Sequence, residues 1–185
     1  MTADNARRSA YDMTPDLQND DLVRRTLAVT VDNEAGVLAR VIGLFSGRGY
    51  NIESLTVAEI DEQSHLSRIT VVTSGTPQVI HQIVSQLERL VPVHRVTDLT
   101  LEGPAIEREL ALVKVACKAE ARIEALRLKD AFRAEIKDAT LESFVFELTG
   151  RPQKIDSFVD LMRPLGLVEV SRTGVVAIKR GADGL

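Results

Sequence analysis

The stretch Asn33-Glu34-Ala35-Gly36-Val37-Leu38-Ala39-Arg40-Val41-Ile42-Gly43-Leu44-Phe45-Ser46-Gly47-Arg48-Gly49-Tyr50-Asn51-Ile52 decides the reading of this chain, because it joins a polar loop to an amphipathic helix and then to a second polar turn. Val37, Val41, Leu44 and Phe45 recur at helical spacing, Leu38 and Ile42 widen the apolar stripe, and Gly47 and Gly49 stop the helix. Upstream, residues 26–31 alternate as a half-buried strand with Leu27, Val29 and Val31 on one face. Downstream, residues 52–60 and 66–73 read as the two strands of a hairpin that turns at Asp61-Glu62-Gln63-Ser64. Ile80, Ile83, Val84, Leu87 and Val91 mark a second helix opening near Thr76-Pro77, where proline suits the first turn, and residues 93–101 follow as a strand.

This order, β-α-β-β-α-β, is that of the ferredoxin-like split βαβ motif. It then recurs less crisply. Residues 110–117 read as a strand, 120–134 as a helix, and 135–139 and 143–149 as strands, with Phe144, Phe146 and Leu148 on one face. Ile155, Phe158, Val159 and Met162 mark a further helix that Pro164 and Gly166 end, and residues 167–171 and 175–178 finish as two short strands around Thr173-Gly174. Glu102-Gly103-Pro104 separates the units, since Gly-Pro after a strand interrupts ladder and helix alike. The expected fold class is therefore α+β, with two tandem ferredoxin-like βαββαβ units at residues 24–102 and 103–185 behind a flexible tail of residues 1–23. A unit of this size buries only about 60% of its unfolded surface, so contacts with partners are expected to add to its stability.

Composition narrows the function classes. A net charge of −4 and a pI near 5.5 disfavour a nucleic-acid partner, which needs concentrated Lys and Arg. Cys117, the only cysteine, sits in an apolar alternating run and reads as a buried thiol; it supplies neither a disulfide nor a multi-cysteine metal cage. His65, His81 and His94 lack metal-ligand spacing, and no Ser, His and Asp set is recognisable. Residues 1–21 lack the apolar core of a secretory signal, and no apolar run is long enough to span a bilayer, so the expected setting is cytoplasmic, with no membrane partner. The tail has little apolar content to offset its ordering entropy, hence the expectation of flexibility.

The polar loops carry the candidate chemistry. A helix N-terminus attracts a carboxylate through unpaired N–H groups and partial positive charge, and Gly36 lets a ligand approach that backbone. Asn33 and Asn51 offer amides that donate and accept, which suits a ligand carrying both carboxylate and ammonium, while Ile52 and Leu38 supply an aliphatic wall. The same residues also suit structural duties: Asn33 as a helix cap, Gly36 as an aid to packing, Asn51 in a left-handed turn after Gly49. Gly47-Arg48-Gly49 ends a helix instead of preceding one and is a poor phosphate loop.

The stretch from Asn33 through Ala58 resembles the signature of the small regulatory subunits of acetohydroxyacid synthase, also named acetolactate synthase. Residues 107–115 and 171–181 resemble the same family, so the likeness runs over residues 24–181 and leaves residues 1–23 aside. The resemblance implies that the first unit is an ACT domain, an amino-acid-binding module that pairs edge to edge in a homodimer. It implies an effector, valine with leucine and isoleucine as alternatives, held at that interface by Asn33, Gly36, Asn51 and Ile52, with Ala35 and Leu38 as neighbours. It further implies a non-catalytic chain that binds no cofactor or metal of its own. The partner is a catalytic large subunit carrying thiamine diphosphate, Mg²⁺ and FAD, which this chain activates and makes sensitive to feedback in branched-chain amino acid biosynthesis. Two rival readings are an amino-acid-sensing transcriptional regulator, which would need a DNA-binding element, and a stand-alone enzyme on the same fold.

Overall fold

The computed structural model describes residues 22–182 and 184; of the expected tail of residues 1–23, residues 1–21 lie outside the described residues, and Val23 already opens the first strand, paired with Gly75. The first unit consists of β1 (Val23–Asp32), α1 (Val37–Arg48), β2 (Ser54–Asp61), β3 (Leu66–Gly75), α2 (Pro77–Leu87) and β4 (Val93–Asp98). Its strands are antiparallel neighbours in the order β2-β3-β1-β4. The alternation expected of residues 26–31 decides which face is buried: Leu27, Val29 and Val31 join Ile69 and Val71 of β3 beneath Val37, Val41 and Phe45 of α1 and Ile80, Ile83 and Leu87 of α2. Thr76 caps α2 by accepting the Val79 N–H, and Pro77 opens it. That helix ends at Leu87, short of Val91, which is 96% exposed.

The second unit repeats the plan with β5 (Ala105–Ala116), α3 (Ala119–Phe132), β6 (Glu135–Ala139), β7 (Ser143–Gly150), α4 (Pro152–Met162) and β8 (Leu167–Arg172), in the order β6-β7-β5-β8. Phe144, Phe146 and Leu148 meet Ala111, Val113 and Val115 on the face covered by Phe158 and Met162 of α4. Together the two units give the α+β class expected from the sequence.

Strand β5 starts five residues earlier than the apolar pattern at Leu110 indicates. Its first part pairs with a last strand, β9 (Val176–Lys179), from Ala105↔Lys179 to Arg108↔Val176, while its second part pairs with β7 and β8. This two-stranded arm packs on the outer face of the first sheet, where Ala28, Leu99, Ala105 and Ala177 form a small apolar cluster. Small side chains are what this contact requires, since a strand pair must lie close to a sheet.

Candidate functional site

Residues 33–36 form the β1–α1 loop, and all four are exposed. The loop is tied at its first residue, where the Asn33 N–H donates to the His65 carbonyl at 2.7 Å. Glu34 makes an exposed ion pair with Arg40 at 3.3 Å. Gly36 has φ 89°, a left-handed conformation that costs other residues about 1–2 kcal/mol. No atom lies within 4 Å of the place a Cβ would occupy, so the glycine is required by its conformation and not by packing, and the backbone there is open. No side chain caps α1. Asn33 therefore does not perform the capping duty its type suggests, and the first N–H groups of α1 keep their partial positive charge toward the loop.

At its other end α1 closes with Gly49 at φ 70°. The Tyr50 N–H donates to the Phe45 carbonyl at 2.9 Å and the Gly49 N–H to the Ser46 carbonyl at 3.3 Å, while the Phe45 and Tyr50 rings meet edge-on at 6.1 Å. These paired bonds with their apolar contact set the direction in which the chain leaves the helix. Gly47, expected to help stop the helix, lies inside it. Asn51 follows with an exposed side chain, and its carbonyl accepts the Thr73 hydroxyl at 2.6 Å. The described non-glycine residues with positive φ are His65, Ala119 and Arg133, so Asn51 makes no left-handed turn. Ile52 packs half-buried against the first core.

The structure thus sorts the candidate residues into two groups. Asn33, Ala35, Gly36 and Leu38 gather at the N-terminus of α1, and Asn51 and Ile52 at its C-terminal exit. A helix of 12 residues is roughly 18 Å long, so within one chain the two groups cannot touch the same small ligand. The separation follows from the helix that the spacing of Val37, Val41, Leu44 and Phe45 predicts between the two groups.

The edge strand β2 offers a route to bring them together. It is paired on one side only, by β3, and its Val57 and Ile60 are 45% and 48% exposed. Asp61 at its end pairs with Leu66, and Leu66 with Asp32, so Asn33 sits at the end of the sheet where β2 finishes. Asn51 and Ile52 sit at the end where β2 begins. Among the described residues no group of three His, Cys, Asp or Glu side chains is placed to hold a metal ion, and no helix is long and apolar enough to cross a membrane.

Residues 27–95 match the family described as "AHAS small subunit-like ACT domain", and residues 108–181 match "Small subunit of acetolactate synthase". The chain is 45% identical over 159 residues to the probable acetolactate synthase small subunit of Archaeoglobus fulgidus, covering 86% of this chain and 98% of that one. It is 46% identical over 160 residues to the acetolactate synthase isozyme 3 small subunit of Escherichia coli, covering 86% and 97%. Among solved structures, the acetolactate synthase small subunit from Thermotoga maritima superimposes with a TM-score of 0.76 at 36% identity, covering 87% of this chain and 99% of that one.

Proposed function

The chain belongs to the acetolactate synthase small-subunit family, and from that premise we propose that it activates a catalytic large subunit and makes it sensitive to valine bound between two copies of the first unit. The observation that carries the proposal is the separation of the candidate residues to opposite ends of α1 beside an open β2 edge. A two-fold pairing of β2 with the same strand of a second copy runs antiparallel. It brings the start of one β2 beside the end of the other. Asn51 and Ile52 of one protomer then arrive where Asn33 and Gly36 of its partner lie, and one ligand meets both groups.

Each group has a distinct task. The uncapped first turn of α1, reached past Gly36, receives the effector carboxylate, and the two amides orient carboxylate and ammonium. Ile52, with Leu38 and Ala35, faces the aliphatic side chain. The large subunit carries thiamine diphosphate, Mg²⁺ and FAD and condenses pyruvate with a second 2-oxo acid; this chain contributes regulation. Inhibition requires the effector to favour one arrangement of the complex over another, and a preference of about 1–3 kcal/mol is usual for such coupling. The proposed setting is the cytoplasm.

The test is acetolactate formation by the cognate large subunit across a valine titration, with this chain absent, present as wild type, or present as Gly36→Asp. The expected result is stimulation by the wild type followed by inhibition as valine rises. Gly36→Asp, which sets a carboxylate against that of the ligand, keeps the complex but loses the inhibition. A Gly36→Asp complex as valine-sensitive as the wild type would remove the site assignment, and no stimulation at all would remove the regulatory reading.

A further inference from the structure

Strand β2 is gripped at its start by the second unit. The Val175 N–H donates to Ser54 Oγ at 2.8 Å, and Thr56 Oγ1 donates to the Val175 carbonyl at 3.0 Å, contacts that span 121 and 119 residues of sequence. Gly174 lies flat on the strand with φ 85°, and a Cβ there would stand 2.9 Å from Ser54 Oγ and 3.0 Å from Thr56 Cγ2. Only glycine combines that conformation with that approach.

The loop carrying Gly174 is itself held from behind. The Thr173 N–H donates to the Leu110 carbonyl at 3.0 Å, and Leu110 returns a bond to Thr173 Oγ1 at 3.2 Å. Arg172 places two N–H groups on Glu109, at 2.7 and 2.5 Å, and a third on Asp156 of α4 at 2.7 Å. The Glu109 side chain is only 4% exposed, and its hydrogen bonds hold the Arg172 guanidinium above its ordinary range. A continuous run of bonded groups therefore leads from α4 through Arg172 and Gly174 to the first residues of β2.

Ser54 stands two residues after Ile52. We infer that Ser54, Thr56 and Gly174 are positioning residues for the effector: they set Asn51 and Ile52 against the second unit, so that effector binding and the state of that unit are coupled. The inference rests on the reading of Asn51 and Ile52 as effector contacts. An effector that favours one placement of these residues must shift the start of β2, and the bonds to Val175 then differ between the two placements. By linkage, weakening those bonds changes effector affinity in return.

Thr56→Val keeps the shape of the side chain and removes the donated bond, whereas Thr56→Ser keeps the hydroxyl. In the reconstituted complex with its large subunit, Thr56→Val is expected to raise the half-maximal inhibitory valine concentration about five- to tenfold, a shift within the usual range of allosteric coupling, with the rate in the absence of valine unchanged. Thr56→Ser is expected to titrate as wild type does, and Gly174→Ala to shift at least as far as Thr56→Val. If Gly174→Ala does not fold, the two Thr56 variants still decide. Wild-type titration by Thr56→Val, in an experiment where Gly36→Asp abolishes the response, overturns the coupling and leaves the site standing. Full sensitivity of Gly36→Asp removes the site reading and this inference with it. Amide hydrogen exchange gives a second readout: valine is expected to slow exchange of the Val175 N–H in the wild-type protein, and no change there also overturns the inference.

Discussion

In the first unit, β1 hands over to α1 through residues 33–36, four exposed positions ending in an open glycine. In the second, β5 hands over to α3 through Cys117 and Lys118 alone. Cys117 is buried, its N–H donates to the Glu142 carbonyl at 3.0 Å, and Ala119 is pressed to φ 49° at the first turn. The topology is the same and neither helix is capped by a side chain, but the second loop is two residues long and has neither a glycine nor an amide side chain. The ferredoxin-like plan sets where a strand meets a helix; the chemistry of the handover decides whether that place can receive an amino acid. The sheets differ as well. The outer face of the first is covered by the β5–β9 arm, whereas the second carries exposed ion pairs there, Lys114 with Glu169 and Lys137 with Glu147.

This comparison is open to challenge by substitution. The largest effect belongs to the core of the second unit. Phe158 is fully buried and packs against Phe132 and Phe146, so Phe158→Ala is expected to cost about 3–5 kcal/mol in denaturant unfolding. If the units melt separately, the first transition stays in place; a single shifted transition would show that the arm binds the two into one cooperative block. The two handover loops sharpen the comparison, because they predict opposite signs. Gly36→Ala must adopt φ 89° with a Cβ and is expected to lose about 1–2 kcal/mol, although nothing crowds the site. Ala119→Gly relieves the same kind of strain and is expected to gain about 0.5 kcal/mol, after allowance for the freer unfolded chain. A loss on Ala119→Gly as well would show that Ala119 does not hold the left-handed conformation.

Much of this was legible from sequence. The exit of α1 was written in Gly49, the hairpin in Asp61-Glu62-Gln63-Ser64, and the helix-covered face of β1 in its alternation; that strand was read as half-buried, whereas Thr26 and Ala28 on its other face are buried as well. The early start of β5 was not, since residues 105–108 become a strand only by pairing with residues 176–179, some 70 positions away. Local signals at Gly103-Pro104 argue for a break instead. The end of α2 was also misplaced, because Val91 continues the helical spacing yet projects into solvent. At the candidate site, residue types pointed to an amino-acid ligand, and the structure removed two competing duties, Asn33 as a cap and Asn51 in a left-handed turn. What no local pattern could supply was the open edge of β2 beside the two groups, or the contact of Ser54 and Thr56 with Val175.

The central claim, that each effector site takes Gly36 from one protomer and Asn51 from the other, is tested most directly by calorimetry of valine binding to a heterodimer made from one Gly36→Asp protomer and one Asn51→Ala protomer. Sites built across the interface leave one with both wild-type halves, so the heterodimer is predicted to bind one valine while each mutant homodimer binds none. A heterodimer that binds no valine, beside a wild-type dimer that binds two, would contradict the account and place both groups in a single chain.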